Sequence, residues 1–146
     1  MIAAKIAMEK ALGSAVIPWL RKQGFRGGLP HFRRLADASV DLLTVQFDKN
    51  GGAFVVEIAR CPPEGVITHW GKVISPDKAT AWDVHPTRRR RIQAEDGAGT
   101  EGWFRFDRHP PDQQATLLLA KLADPDLWRG LGPVGPPSPA GLGADT

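Results

Sequence analysis

One cysteine, Cys61, is all the thiol this chain has. No internal disulfide can form, which suits a reducing compartment. No apolar run approaches the roughly 18 residues that cross a bilayer, so a membrane partner is not expected. Nor does the N-terminus read as a secretory leader, because Glu9 and Lys10 interrupt its apolar run before an export core can form. These absences make a cytoplasmic protein the expectation. Charge of one sign is scarce too: the net charge is +3. Solubility alone favours an excess of that size, so it argues only weakly for a nucleic-acid partner.

The motifs of metal and nucleophile chemistry are missing as well. His31, His69, His85, His109 and Cys61 include no pair at short ligand spacing, and no metal or other cofactor is expected. Ser14, Ser39 and Ser75 lack the Gly-x-Ser-x-Gly context of a nucleophile elbow. Cys61 at a strand end reads as a buried structural thiol before it reads as a nucleophile. The glycines of Gly24–Gly28 do not make a phosphate loop, since no strand precedes them and no helix follows. No catalytic residue is assigned, and an enzyme is the weaker expectation.

What remains is an ordinary globular composition, 42% hydrophobic and 24% charged over 146 residues. A chain of that size buries roughly 68–70% of its unfolded surface and needs no staple. Residues 1–128 read as one α+β domain. Residues 129–146, rich in glycine and proline, read as a disordered tail that cannot bury enough surface to offset its ordering entropy.

The spacing of Ile6, Leu12, Val16, Ile17 and Leu20 predicts a helix over Ala3–Gln23 with Gly24 as its stop, and Pro18 predicts a kink or two abutting helices. Gly27, Gly28 and Pro30 mark a loop. Short β-like runs follow at His31–Leu35, Val40–Phe47 and Gly52–Arg60. Asn50-Gly51 between the last two predicts a type I′ hairpin, in which both central residues take positive φ. That register places Phe47 opposite Phe54, Val45 opposite Val56 and Leu43 opposite Ile58, all on one face. Thr44, Gln46 and Glu57 fall on the other. Segment 64–86 has no clear pattern beyond a short run at Val66–Trp70. Arg88–Ile92 reads as an extended edge strand, 97–102 as a loop and Trp103–Phe106 as a short strand or turn. Pro111–Ala123 is a second helix, with prolines in its first turn and Leu118, Leu119 and Leu122 as its stripe. Trp128 is expected to fold back as an apolar anchor. The fold class is therefore α+β: an antiparallel sheet packed against an N-terminal and a C-terminal helix.

The run Trp19–Arg26 is followed by Phe32-Arg33-Arg34, Val45–Lys49 and Phe54–Ile58, then by Arg89–Ile92 and Gly102-Trp103-Phe104. In that order the blocks resemble the bacterial family catalogued as domain of unknown function 4304, over about residues 5–106. The resemblance implies a helix packed on an antiparallel sheet and brings no activity or binding residue. The four-arginine region near Pro86 and the tail depart from the family pattern.

Candidate binding residues come from three places. Arg88, Arg89, Arg90 and Arg91 could grip phosphates, with Arg33, Arg34, Lys72 and Lys78 extending the patch; the plainer alternative is a solvated edge strand whose charges block aggregation. Glu57, Thr44 and Gln46 share a polar sheet face, ordinarily just the wet side, which becomes a site if segment 64–86 closes over it. Trp70 and Trp82 are packed in the core or stand out as binding anchors, core packing being the commoner fate. The leading functional reading is a small binding or accessory domain that recognises a protein partner. The alternatives are a nucleic-acid or anionic-ligand binder acting through Arg88–Arg91, and a small enzyme using Glu57 in a sheet-face pocket.

Overall fold

The computed structural model describes residues 2–68, 70–95 and 102–132. Helix α1 (Ile2–Lys22) leads into strands β1 (Arg26–Gly28), β2 (His31–Leu35), β3 (Val40–Phe47) and β4 (Ala53–Cys61). A small hairpin follows, β5 (Val66–Ile67) and β6 (Val73–Ile74), then two single-turn helices, Ala81–Asp83 and Pro86–Arg88. Strands β7 (Arg90–Ile92) and β8 (Phe104–Arg105) and helix α2 (Pro111–Leu122) complete the order. The main sheet runs β1-β2-β3-β4-β7, with β8 also on β4, and every pairing is antiparallel. This is the α+β architecture expected, with both helices on one face.

α1 is one helix through Pro18, not two. Pro18 is exposed, so the carbonyl it leaves without an N–H partner can face water. Its buried stripe is Met8, Leu12, Val16 and Leu20. Ile6, expected in that stripe, is 54% exposed. It precedes Met8 by two residues, about 200° around the helix. The helix stops as its sequence implies. Gly24 takes φ +96°, its N–H donates to the Arg21 carbonyl, and the Phe25 N–H donates to the Leu20 carbonyl. That pair of bonds is a Schellman cap, and it turns Phe25 back onto the core. Gly27 and Gly28, expected in a loop, lie instead in β1 against Phe32 and His31.

The β3–β4 register is the expected one, with Phe47 opposite Phe54, Val45 opposite Val56 and Leu43 opposite Ile58. The turn that sets it differs from type I′. Asn50 does not take positive φ; Gly51 and Gly52 do, at +88° and +80°. The Gly51 N–H donates to the Asp48 carbonyl, and the Asp48 carboxylate accepts the Asn50 N–H at 3.0 Å. A glycine after the turn supplies the second left-handed residue, so Asn50 is spared that conformation and the pairing is kept.

The six apolar side chains of that register join Phe25, Phe32, Ile92, Phe104 and the helix stripes in the main core, where Phe54 stacks on Phe104 at 4.8 Å. Leu118 and Leu122 of α2 are buried there and Leu119 is half-buried. Trp128 folds back as expected, 6.0 Å from Phe25. Order continues past it: Leu131 is buried, and its carbonyl accepts from Arg60 at 2.9 Å. The rest of the expected tail, from 133 onward, lies outside the described residues, as do His69 and the loop at 96–101.

The opposite sheet face is not a wet side. Segment 62–89 crosses it and builds a second core from Val66, Ala79, Ala81 and Val84 on Val40, Leu42, Ala59 and Cys61.

Candidate functional site

The pairing registers set His31 opposite Thr44, Thr44 opposite Glu57 and Glu57 opposite Arg91. Side chains opposite one another share a face, so four polar residues form one row across β2, β3, β4 and β7. Thr44 is fully buried, which corrects the expectation of a solvated face. Its hydroxyl lies 3.0 Å from His31 Nδ1 and accepts the Ala81 N–H at 3.3 Å. Burial is the main cause holding the His31 pKa below its ordinary value; Arg33 adds to this and Asp83 opposes it. Gln46 sits one row away, half-buried and opposite Val55.

Glu57 meets two arginines, Arg89 Nη1 at 3.1 Å from Oε1 and Arg91 Nη1 at 4.0 Å from Oε2. Arg89 also donates to the Val84 and Trp82 carbonyls, each at 2.7 Å. Glu57 therefore anchors an arginine that holds the covering segment down. Arg91 lies over the Trp103 ring, 5.1 Å from its centroid. Among the described residues, the buried Arg91 Nε and Gln93 Oε1 have no hydrogen-bond partner.

The arginine run does not gather into one patch. Arg88 is exposed in the turn before β7, while Arg89 and Arg91 face Glu57. Arg90 points to the helix side and donates to the Leu127 carbonyl. Arg33 donates to the Ala79 carbonyl, and Arg34 pairs with Asp41 at 2.7 Å. The strand itself is Arg90–Ile92, shorter than expected because Pro86 closes a helical turn just ahead of it.

Trp70 and Trp82 stand out from the surface instead of packing in the core, at 67% and 44% exposed. Trp82 sets its ring edge-on to His31 at 5.1 Å. Trp70 lies in the β5–β6 turn, beyond the two-residue strand that replaces the expected run to Trp70. Val66 and Ile74 of that hairpin turn inward to the second core, while Ile67 and Val73 pair across it and are 62% and 66% exposed. Thr68 locks the turn: its N–H donates to the Lys72 carbonyl at 2.9 Å and its hydroxyl accepts the Lys72 N–H at 3.0 Å. Gly65 lets β6 approach, since a Cβ there would sit 2.0 Å from the Ile74 carbonyl oxygen. The result is a braced hairpin presenting two aliphatic side chains and an indole to solvent.

Sequence reasoning missed a cavity of about 210 Å3 on the helix side, between the C-terminal ends of α1 and α2. Trp19, Phe25, Arg34 and Trp128 line it. Its walls come from well-separated parts of the chain, so no local motif marks it.

A family model described as domain of unknown function (DUF4304) matches residues 16–125. No curated protein and no solved structure showed significant similarity to the chain. Among the described residues no helix is long and apolar enough to cross a membrane.

Proposed function

Since the chain belongs to the family of domain of unknown function 4304, which brings no activity with it, we propose from the geometry that it is a non-catalytic binding domain that recognises a protein partner through its β5–β6 hairpin. The observation that carries this reading is the joint exposure of Ile67, Trp70 and Val73 on an element whose other side is anchored in a core. Scattered exposed apolar residues need no explanation, but an exposed cross-strand pair with an indole in the adjoining turn, on a braced hairpin, suits the anchors of an interface. The braced turn lowers the ordering cost of binding. The arginine run supports nucleic-acid binding less well, because Arg89, Arg90 and Arg91 are engaged within the fold. The carboxylate of Glu57 faces two guanidinium groups, which suits an anchor better than a proton carrier. The sole thiol is buried, which suits a cytoplasmic setting.

Pull-down from a native extract with the wild-type chain, Trp70→Ala and Val73→Ser tests the proposal. Both variants are expected to keep their unfolding midpoint and to lose the same captured protein. Retention of that protein by both variants, or release only when Arg88 is changed, would overturn it.

A further inference from the structure

The cavity at the helix ends lies across the sheet from the hairpin. Three of its walls are aromatic: Trp19, Phe25 and Trp128. A fourth is the Arg34 guanidinium, 4.5 Å from the Phe25 centroid and 5.7 Å from that of Trp128. The volume of about 210 Å3 exceeds the roughly 150 Å3 of an apolar protein cavity that admits benzene.

The walls are held by bonds that leave the space open. The Phe25 N–H is fixed in the helix cap at 2.9 Å from the Leu20 carbonyl oxygen. Arg60 holds the Trp128 carbonyl at 3.1 Å and reaches Asp41 at 2.7 Å through Nε. Arg34 gives Nε and Nη2 to Asp41 at 2.9 and 2.7 Å, and one Nη1 hydrogen to the Gln23 carbonyl at 3.0 Å. Of the five N–H donors of a guanidinium, one on Nη1 and one on Nη2 are left without a partner among the described residues. One carboxylate, Asp41, answers both Arg34 and Arg60. Asp124 brings a carboxylate to the lining; it is exposed to solvent, and its Oδ1 accepts the Asp126 N–H.

We propose that this cavity is a binding site for a small aromatic carboxylate, its ring held among Trp19, Phe25 and Trp128 and its carboxylate on the two remaining N–H groups of Arg34. Aromatic walls take a planar ring by stacking or edge contact, and a guanidinium matches a carboxylate in charge and geometry. A cavity that combines aromatic walls with a few placed polar groups, here Arg34, Gln23 and Asp124, is a common form of small-ligand site.

Ligand-observed NMR on the full chain tests this with phenylacetate, benzyl alcohol and benzylamine as probes. Phenylacetate is expected to bind at least about tenfold more tightly than either analogue. Ala123→Phe, at an exposed position lining the cavity, is expected to abolish binding while the unfolding midpoint stays in place. Arg34→Gln is expected to erase the preference for the acid. Equal binding of the three probes, preference for benzylamine, phenylacetate binding that survives Ala123→Phe, or no binding up to about 10 mM would each overturn the proposal.

Discussion

Thr44→Val asks whether the covering segment is held to the sheet by one buried hydroxyl. The two side chains are nearly equal in size, so the substitution leaves no cavity and tests the oxygen alone. Thr44 is fully buried, and its hydroxyl is the acceptor for the Ala81 N–H at 3.3 Å. Valine leaves that amide buried and unpaired, at a cost of about 1–3 kcal/mol. The bond to His31 Nδ1 at 3.0 Å is lost as well, but His31 is only half-buried and can turn to water, so it adds little. The expected loss is about 2 kcal/mol. With a urea slope of about 2 kcal/mol/M, the unfolding midpoint should fall by about 1 M with the slope unchanged. Hydrogen exchange gives a local check, since protection of the Ala81 amide should drop more than that of the β3–β4 ladder. A midpoint shift below about 0.3 M with Ala81 protection intact would refute the reasoning.

Three further outcomes follow from other parts of the fold. Asp41→Ala strands two guanidinium groups that now share one carboxylate, and should cost about 3 kcal/mol in urea unfolding, whereas Asp41→Leu combined with Arg34→Met and Arg60→Met should recover most of it. For His31, folding disfavours the charged ring, so the unfolded chain binds more protons below the ordinary value of 6.5. Stability from this group should therefore fall as pH drops from 6.5 toward its lowered folded value and level off below that; the difference between wild type and His31→Gln, followed by thermal unfolding against pH, should show that slope. Burial, helped by Asp41 and Asp83, pushes the Cys61 thiol up to about 11, so labelling by a disulfide reagent at neutral pH should be negligible in the native protein and rapid in denaturant.

The legible parts of the fold were those whose physics is local. The α1 stop at Gly24 needs only a glycine after an amphipathic run, and the β3–β4 register needs only a turn of the right parity between alternating apolar residues. The turn type escaped because Gly51 and Gly52 together offered a cheaper placement of positive φ than Asn50. Ile6 was misplaced because Met8, four residues before Leu12, continues the stripe more closely. The polar residues are less legible. Period-two alternation puts Thr44, Gln46 and Glu57 on one face, as the registers do, but it cannot say what lies on top of it. The cover, 62–89, has little regular structure and so little periodicity to read. Nor does a run of four arginines reveal which carbonyls will take each guanidinium, since their partners lie up to 37 residues away in sequence.

The lack of regular structure in the cover also explains why the sheet beneath it is polar where it is. A crossing segment with only a two-residue ladder and two single-turn helices leaves backbone groups that must find partners once buried. Here the sheet and the segment's own Arg89 supply them. Arg33 takes the Ala79 carbonyl, Thr44 takes the Ala81 N–H, and Arg89, braced by Glu57, takes the Trp82 and Val84 carbonyls. These contacts fall within six consecutive residues, 79–84, whose apolar side chains Ala79, Ala81 and Val84 pack into the second core. Replacing the polar row by apolar side chains would deepen that core while orphaning the backbone above it. Apart from the buried Arg91 Nε, which has no partner among the described residues, the row thus has a structural account without a substrate. The exposed hairpin at Trp70 and the aromatic cavity beside Arg34 have no such account, and that is why the functional proposals rest on them.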